Sequence, residues 1–320
     1  MLESNARVTG LHHVTAIAGG ARENLAFYTG TLGMRLVKRS VNQDDPGTYH
    51  LFYADAVGHP GTDLTFFPWQ GVAAPGRKGV GLTVEVALVV PPGSLEFWSD
   101  RLPGNVLAPG AVEERFGERS LAFRDPHGLE LALVESADPR EFTAWEGSPV
   151  PADRQIRGLH VVRLWERERA ATADFLTGVL GFDVVGEEAG WHRYALGEGG
   201  SGSLLELKEL PDVRRGAWGT GSVHHVAWRV PDDVTQVAVR ERVVEAGRQP
   251  TEVIDRFWFR SVYFREPGGA LFEVATDGPG FSVDEDPVAL GERLVLPPWL
   301  EARRERIEEV LPPLEAEART

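Results

Sequence analysis

The feature that most restricts how this chain can fold is an internal repeat. The segment Gly10-Leu11-His12-His13-Val14 is matched by Gly158-Leu159-His160-Val161-Val162, 148 residues later. The same offset carries Phe27 to Phe175, Leu32 to Leu180 and Gly33 to Gly181. A second pair of segments is related at an offset of 140, from Val86-Ala87 to Val226-Ala227. Asp125-Pro126-His127-Gly128 likewise resembles Glu266-Pro267-Gly268-Gly269 at an offset of 141. A repeated supersecondary unit that cannot bury its own apolar face must stack on a copy of itself. Four such units emerge, over about 8–69, 80–136, 156–210 and 220–277.

Each unit reads as a strand, a helix and three further strands. Apolar strands are predicted at Leu11 to Ile17 and Val223 to Val230, and helices at about 22–30, 94–102, 168–178 and 233–246. Later strands are predicted at 48–53, 64–67, 261–264 and 270–275. Gly33 and Gly181 stand where helix C-caps are expected. One βαβββ unit makes a curved sheet that cannot close a core, and two side by side close a cavity. The expected fold class is α+β, with four βαβββ units paired into two barrel-like domains. Along the sequence, 8–136 holds units one and two, and 137–157 is a Pro-rich polar linker. Units three and four fill 158–277, and a tail occupies 278–320, with a short charged helix from Trp299 to Leu311 between proline pairs. The tail covers a surface or serves as an oligomer contact.

Composition removes several function classes. With no cysteine in 320 residues, there is no disulfide scaffold, thiolate metal site, iron–sulfur cluster or cysteine nucleophile. Any metal must be held by His, Asp or Glu. A net charge of −15 argues against nucleic-acid binding, which needs clustered Lys and Arg. It leaves a small aromatic partner open. The start of the chain lacks an apolar signal-peptide core, and no run of residues is long and apolar enough to span a membrane. A cytoplasmic location without membrane partners is therefore expected.

Two His-His pairs, His12-His13 and His224-His225, occupy the first strands of units one and four. Adjacent strand residues face opposite sides, so one member of each pair is expected to point into the cavity and the other away or along the rim. Glu273 lies among Ala, Leu, Phe and Val, where a carboxylate needs a partner or a metal. One His from each pair plus Glu273 makes the facial triad of non-haem Fe(II) sites, and neutral imidazole with carboxylate also suits Mn²⁺ or Zn²⁺. His160 repeats His12, but Val161 stands at the position of His13, Glu85 at that of His225 and Ala132 at that of Glu273. A complete second site is not expected. His50, His59, His127 and His192 read as solvated or structural groups near strand ends and turns.

These residues carry a family likeness. The four units, the Leu-His-His start and the Glu-Pro-Gly-Gly-x-x-x-Glu ending resemble the vicinal oxygen chelate superfamily, which includes glyoxalases, bleomycin-resistance proteins and extradiol dioxygenases. Lys38 to Asn42, Pro46 to Asp55, Gly58 to Thr62, Trp218-Gly219 and Asp255 to Glu273 are similar to hydroquinone-type ring-cleaving dioxygenases. The resemblance covers nearly the whole chain. It implies iron ligands at His13, His225 and Glu273, with His12 and His224 beside them near the substrate. It also implies a substrate-site arginine at Arg256 and tyrosine at Tyr263. His13 comes from unit one and the other two ligands from unit four, so these two units are expected to form the metal cavity.

The resulting expectation is an Fe(II)-dependent dioxygenase that opens a hydroquinone-like aromatic diol with O₂. A metal-dependent lyase or isomerase of the glyoxalase type is the alternative, although it would need a second acidic ligand such as Glu85 or Glu206. A non-catalytic small-molecule binding protein is the remaining one.

Overall fold

A computed structural model describes residues 6–71, 73–102, 111–138 and 140–314. The first five residues and the tail's last six, 315–320, lie outside it, as do 103–110 of unit two and Val72 and Pro139.

Unit one contains β1 (Gly10–Ala18), α1 (Ala21–Leu25) with a π-helical continuation over Ala26–Thr31, β2 (Arg35–Val41), β3 (Tyr49–Ala54) and β4 (Asp63–Pro68). Unit two contains β5 (Leu82–Val90), α2 (Leu95–Arg101), β6 (Glu113–Arg115), β7 (Glu118–Arg124) and β8 (Glu130–Glu135). In unit three come β9 (Gly158–Glu166), α3 (Ala170–Phe175) with a π-helical turn over Leu176–Leu180, β10 (Asp183–Glu188), β11 (Trp191–Ala195) and β12 (Leu204–Glu209). Unit four supplies β13 (Ser222–Val230), α4 (Asp233–Glu245), β14 (Ile254–Asp255), β15 (Arg260–Arg265) and β16 (Leu271–Thr276). Gly33 and Gly181 follow their helices at φ +69° and +88°, a conformation that disfavours any side chain.

The strands form two eight-stranded sheets. The first runs β14-β15-β16-β13-β1-β4-β3-β2, and the second runs β10-β11-β12-β9-β5-β8-β7-β6. Strands of the first and last units therefore share one sheet, joined by antiparallel pairing of β1 with β13. Each sheet curls around its own concave face. Every residue of β1 is buried, as expected of a strand covered on both sides. Val14 and Ala16 join Val239 and Val243 of α4 in the main apolar cluster on the helical side. His13 and Thr15 alternate with them. Among the described residues, no helix is long and apolar enough to cross a membrane.

The tail packs along the edge strand β2. The Val295 N–H donates to the Arg39 carbonyl at 2.9 Å, and the Ser40 hydroxyl donates to the Val295 carbonyl at 2.7 Å. This contact covers an edge that would otherwise be open to pairing. Lys38 is fully buried and donates to Asp284 Oδ1 at 2.9 Å, to Glu285 and to the Phe281 carbonyl. The tail's helix is shorter than the proline brackets suggest. A 3₁₀ turn over Glu301–Arg303 precedes α5 (Arg304–Val310), because the chain leaving Pro297-Pro298 closes on i+3 bonds such as Leu300 N–H to Pro297 O.

Candidate metal centre

The centre is assembled where β1, β13 and β16 lie side by side. His13 is paired with Ala227, and Ala227 with Glu273, so His13 and Glu273 stand on either side of a small residue. His225 is paired with Thr15. His13 Nε2 and His225 Nε2 are 3.2 Å apart. Glu273 Oε2 lies 3.3 Å from the first and 3.0 Å from the second. All three residues are buried, and they are the one group of three potential metal-binding side chains brought together among the described residues.

Both neighbouring histidines come along, which strict strand alternation does not allow. The β1–β13 register shifts between Leu11 and His13 and again between Thr15 and Ala16. His12 and His224 are the two extra residues of these β-bulges. A bulge turns its residues away from simple alternation. His12 Nδ1 therefore meets His13 Nδ1 at 2.9 Å, and His224 Nδ1 meets His225 Nδ1 at 2.8 Å. Of the two placements expected for the second histidine, away or along the rim, the structure turns neither away: each pair lies imidazole against imidazole. This arrangement fixes tautomers. If His13 and His225 keep Nε2 free for a cation, each must donate Nδ1–H to its neighbour.

The electrostatics fit a cation site. Burial disfavours ionised Glu273, yet His13 and His225 hold its pKa well below the ordinary carboxylate range. Burial, then the adjacent histidine, lowers both His12 and His224 to about 3. Burial lowers His225 as well. Glu273 Oε1 accepts from the Ser261 hydroxyl at 2.5 Å, whereas buried Oε2 has no well-directed hydrogen bond. Two facing ring nitrogens and an orphaned carboxylate oxygen are three lone-pair donors without enough protons among them. Donors about 2.1 Å from one ion and at right angles would be roughly 3.0 Å apart, which is the triangle seen.

His13 and His225 open onto a cavity walled by Phe52, Phe67, Trp258 and Phe259. Tyr263, paired with Glu273 on β15, puts its ring 5.6 Å from that of His225. Burial and the Glu273 charge push its pKa up. Arg256 projects from the turn after β14, with its guanidinium 5.4 Å from the Tyr263 ring. It pairs with Asp44 at 3.1 and 2.8 Å across the mouth. The turn is held by the Gln43 amide, which donates to the Arg256 carbonyl at 2.9 Å. Phe257, inside it, adopts φ +75°.

The superfamily model for glyoxalases, bleomycin resistance proteins and dioxygenases matches residues 10–133 and 158–274. The chain belongs to this superfamily. A curated relative from Bacillus subtilis, named "Putative ring-cleaving dioxygenase MhqO", is 43% identical over 97% of each chain. "Chlorohydroquinone/hydroquinone 1,2-dioxygenase" from Sphingobium indicum is 32% identical over 96% of this chain and 97% of its own. A solved Bacillus subtilis structure, described as a "putative dioxygenase", superposes with a TM-score of 0.91 at 42% identity, covering 98% of this chain and 99% of its own. Maize glyoxalase I shares the superfamily fold at a TM-score of 0.61 and 16% identity, over 84% of this chain and 92% of its own.

In the second sheet of this superfamily member, Val161, Glu85 and Ala132 stand at the positions of His13, His225 and Glu273, and the one carboxylate among them is engaged. Glu85 is bonded to Arg163, and Glu206 accepts from Arg163 at 2.7 Å and from Arg193 at 2.9 and 2.6 Å. His160 lies 3.2 Å from Glu118. An ion-paired network fills that face.

Sequence reasoning missed Ser261, the Asp44–Arg256 pair and His50. The hydroxyl of Ser261 has no motif of its own, but its position two residues before Tyr263 places it on the same strand face. His50 is the second residue of β3, near the strand end as expected, and it also lines the cavity.

Proposed function

We propose that this chain is an Fe(II)-dependent ring-cleaving dioxygenase for hydroquinone-like aromatic diols. The observation that carries the reading is the triangle of two imidazole nitrogens and one carboxylate oxygen, 3.0–3.3 Å on a side, at an aromatic-walled cavity. On this reading, His13, His225 and Glu273 hold the ion, and the first and fourth units form the catalytic half. Bound there, Fe(II) would supply Lewis acidity and electron transfer between the diol and O₂. The names of the relatives support this substrate class, and Glu85 and Glu206 are too engaged with arginines to serve a glyoxalase-type site.

The side chains have separable tasks. Phe52, Phe67 and Phe259 bind the ring and exclude water. His12 and His224 fix the tautomers of the two histidine ligands through their Nδ1 contacts. Tyr263, protonated at neutral pH, donates its hydroxyl proton toward developing negative charge near Glu273. Arg256 adds a fixed positive charge at the mouth, oriented by Asp44.

The test is anaerobic loading with Fe(II), addition of methylhydroquinone and exposure to O₂. Oxygen uptake with formation of a ring-opened chromophore is expected. No O₂ consumption over a panel of hydroquinones and catechols would overturn the reading.

A further inference from the structure

Most polar groups around the cavity are already engaged. The Gln43 amide is bonded to the Arg256 carbonyl, Arg256 is paired with Asp44, and Asn42 Oδ1 accepts the Asp44 N–H. His50 differs from them. Its Nε2 meets Thr65 Oγ1 at 3.0 Å, and Thr65 Oγ1 meets Thr15 Oγ1 at 2.7 Å. Phe52 and Phe67 flank the ring at centroid distances of 3.9 and 4.4 Å. These contacts clamp the imidazole in one orientation. No group among the described residues bonds its Nδ1. Burial, then the neighbouring His13, His225 and Arg256, keeps the ring neutral by holding its pKa well below the ordinary value.

His50 and the histidine donors line one cavity from different strands. Only β4 separates β3 from β1, so His50 and His13 stand on strands two spacings apart, roughly 10 Å. Both line the same cavity. A para-diol held at the centre by one oxygen carries its other oxygen on the far side of the ring, toward another wall of the cavity.

We infer that His50 Nδ1 receives the second hydroxyl of the substrate and sets the preference for para-diols over catechols and simple phenols. The inference rests on the function proposed above. A hydroxyl both donates and accepts, so it satisfies either tautomer of a neutral imidazole. A phenol leaves Nδ1 unpartnered and shielded from water, and a catechol carries its second hydroxyl beside the first, out of reach. A site built around a substrate hydroxyl rejects the analogue that lacks it.

The experiment uses the iron-loaded full chain without O₂ and measures dissociation constants for hydroquinone, catechol and phenol. Iron content is determined on the same samples, and kcat/KM for methylhydroquinone is measured in parallel. The natural protein should favour hydroquinone over phenol by roughly ten- to hundredfold. His50→Phe keeps a ring between Phe52 and Phe67 and should abolish that ratio, with iron content and phenol affinity retained. His50→Leu removes the same bond without the ring and must give the same loss should the Phe variant fail to fold. His50→Asn, which retains a polar group, should recover part of the ratio. An unchanged ratio in His50→Phe or His50→Leu, in a protein whose natural form turns over hydroquinones, overturns this inference alone. A natural form that neither binds nor oxidises any diol overturns it together with the proposed function.

Discussion

Glu166, at the end of β9, is 1% exposed and lies against Glu266, also 1% exposed. Glu266 is well supplied with donors: Oε1 accepts the Ala270 N–H at 2.7 Å, and Oε2 accepts the Gly268 N–H at 2.8 Å and the Thr172 hydroxyl at 2.7 Å. Glu166 has no such cradle. Its Oε1 has no hydrogen-bond partner, and its Oε2 presses on Gly268, where an added Cβ would stand 1.7 Å away. Burial, then the charge of Glu266, pushes the Glu166 pKa up to about 9, against the pull of Arg215. The pair therefore keeps a proton that the unfolded chain releases above its ordinary value of 4.5. The associated stability is complete below that value and is lost as pH rises towards 9. One bound proton gives a slope of about 1.4 kcal/mol per pH unit, so raising the pH from about 5 to about 8 removes about 4 kcal/mol.

Glu166→Gln abolishes the titration while its amide can still donate to Glu266. The assay is urea unfolding of both proteins across that pH range. Subtracting the two curves cancels the titrating groups that do not feel Glu166. The variant's advantage should grow by about 4 kcal/mol between the two ends. Parallel stability curves would refute the reasoning, because they would show that Glu166 ionises as easily in the folded protein as in the unfolded one.

Other outcomes follow from the same contacts. Ser261→Ala removes the hydroxyl that orients Glu273 and should weaken metal affinity by roughly ten- to hundredfold, read by competition with a chelator; unchanged affinity would contradict that role. Lys38→Met strands Asp284 and Glu285 without their buried cation and should cost about 3–5 kcal/mol in denaturant unfolding. Adding Glu285→Gln to that variant should restore part of the loss, and no recovery would show that the charge pair is not its source. His13→Ala, His225→Ala and Glu273→Ala should each lose stoichiometric iron with unchanged circular dichroism, whereas Tyr263→Phe should keep its iron and turn over more slowly. Stoichiometric iron in any of the three alanine variants would break the proposed triad.

What was legible in the sequence was whatever duplication and periodicity record. The repeat offsets yielded the superfamily fold, and the apolar runs placed the strands to within a residue or two. The three donors were visible as residue types, since a Glu between Phe272 and Val274 is conspicuous. Long-range geometry left no such trace. Lys38 carries no local sign of its burial, because nothing near it in sequence announces Asp284 and Glu285, which the tail brings back some 246 residues later. His50 reads as a strand-end histidine until the sheet curls its strand around the cavity.

The bulges are the deeper case, because register belongs to two strands and to neither sequence alone. The second sheet shows that they come with the fold and not with the metal. There the β5–β9 register shifts between Thr83 and Glu85 and between Ala87 and Leu88. The extra residues are Val84 and His160, the repeat counterparts of His224 and His12. The backbone device thus persists where Val161, Glu85 and Ala132 replace the donors and arginine–glutamate pairs fill the concave face. The same pair of register shifts interrupts the central strands in either half of the molecule. What distinguishes the candidate centre is only which side chains occupy those places, so converting the second sheet into a metal site would require new donors and removal of Arg163 and Arg193, with the backbone left as it is.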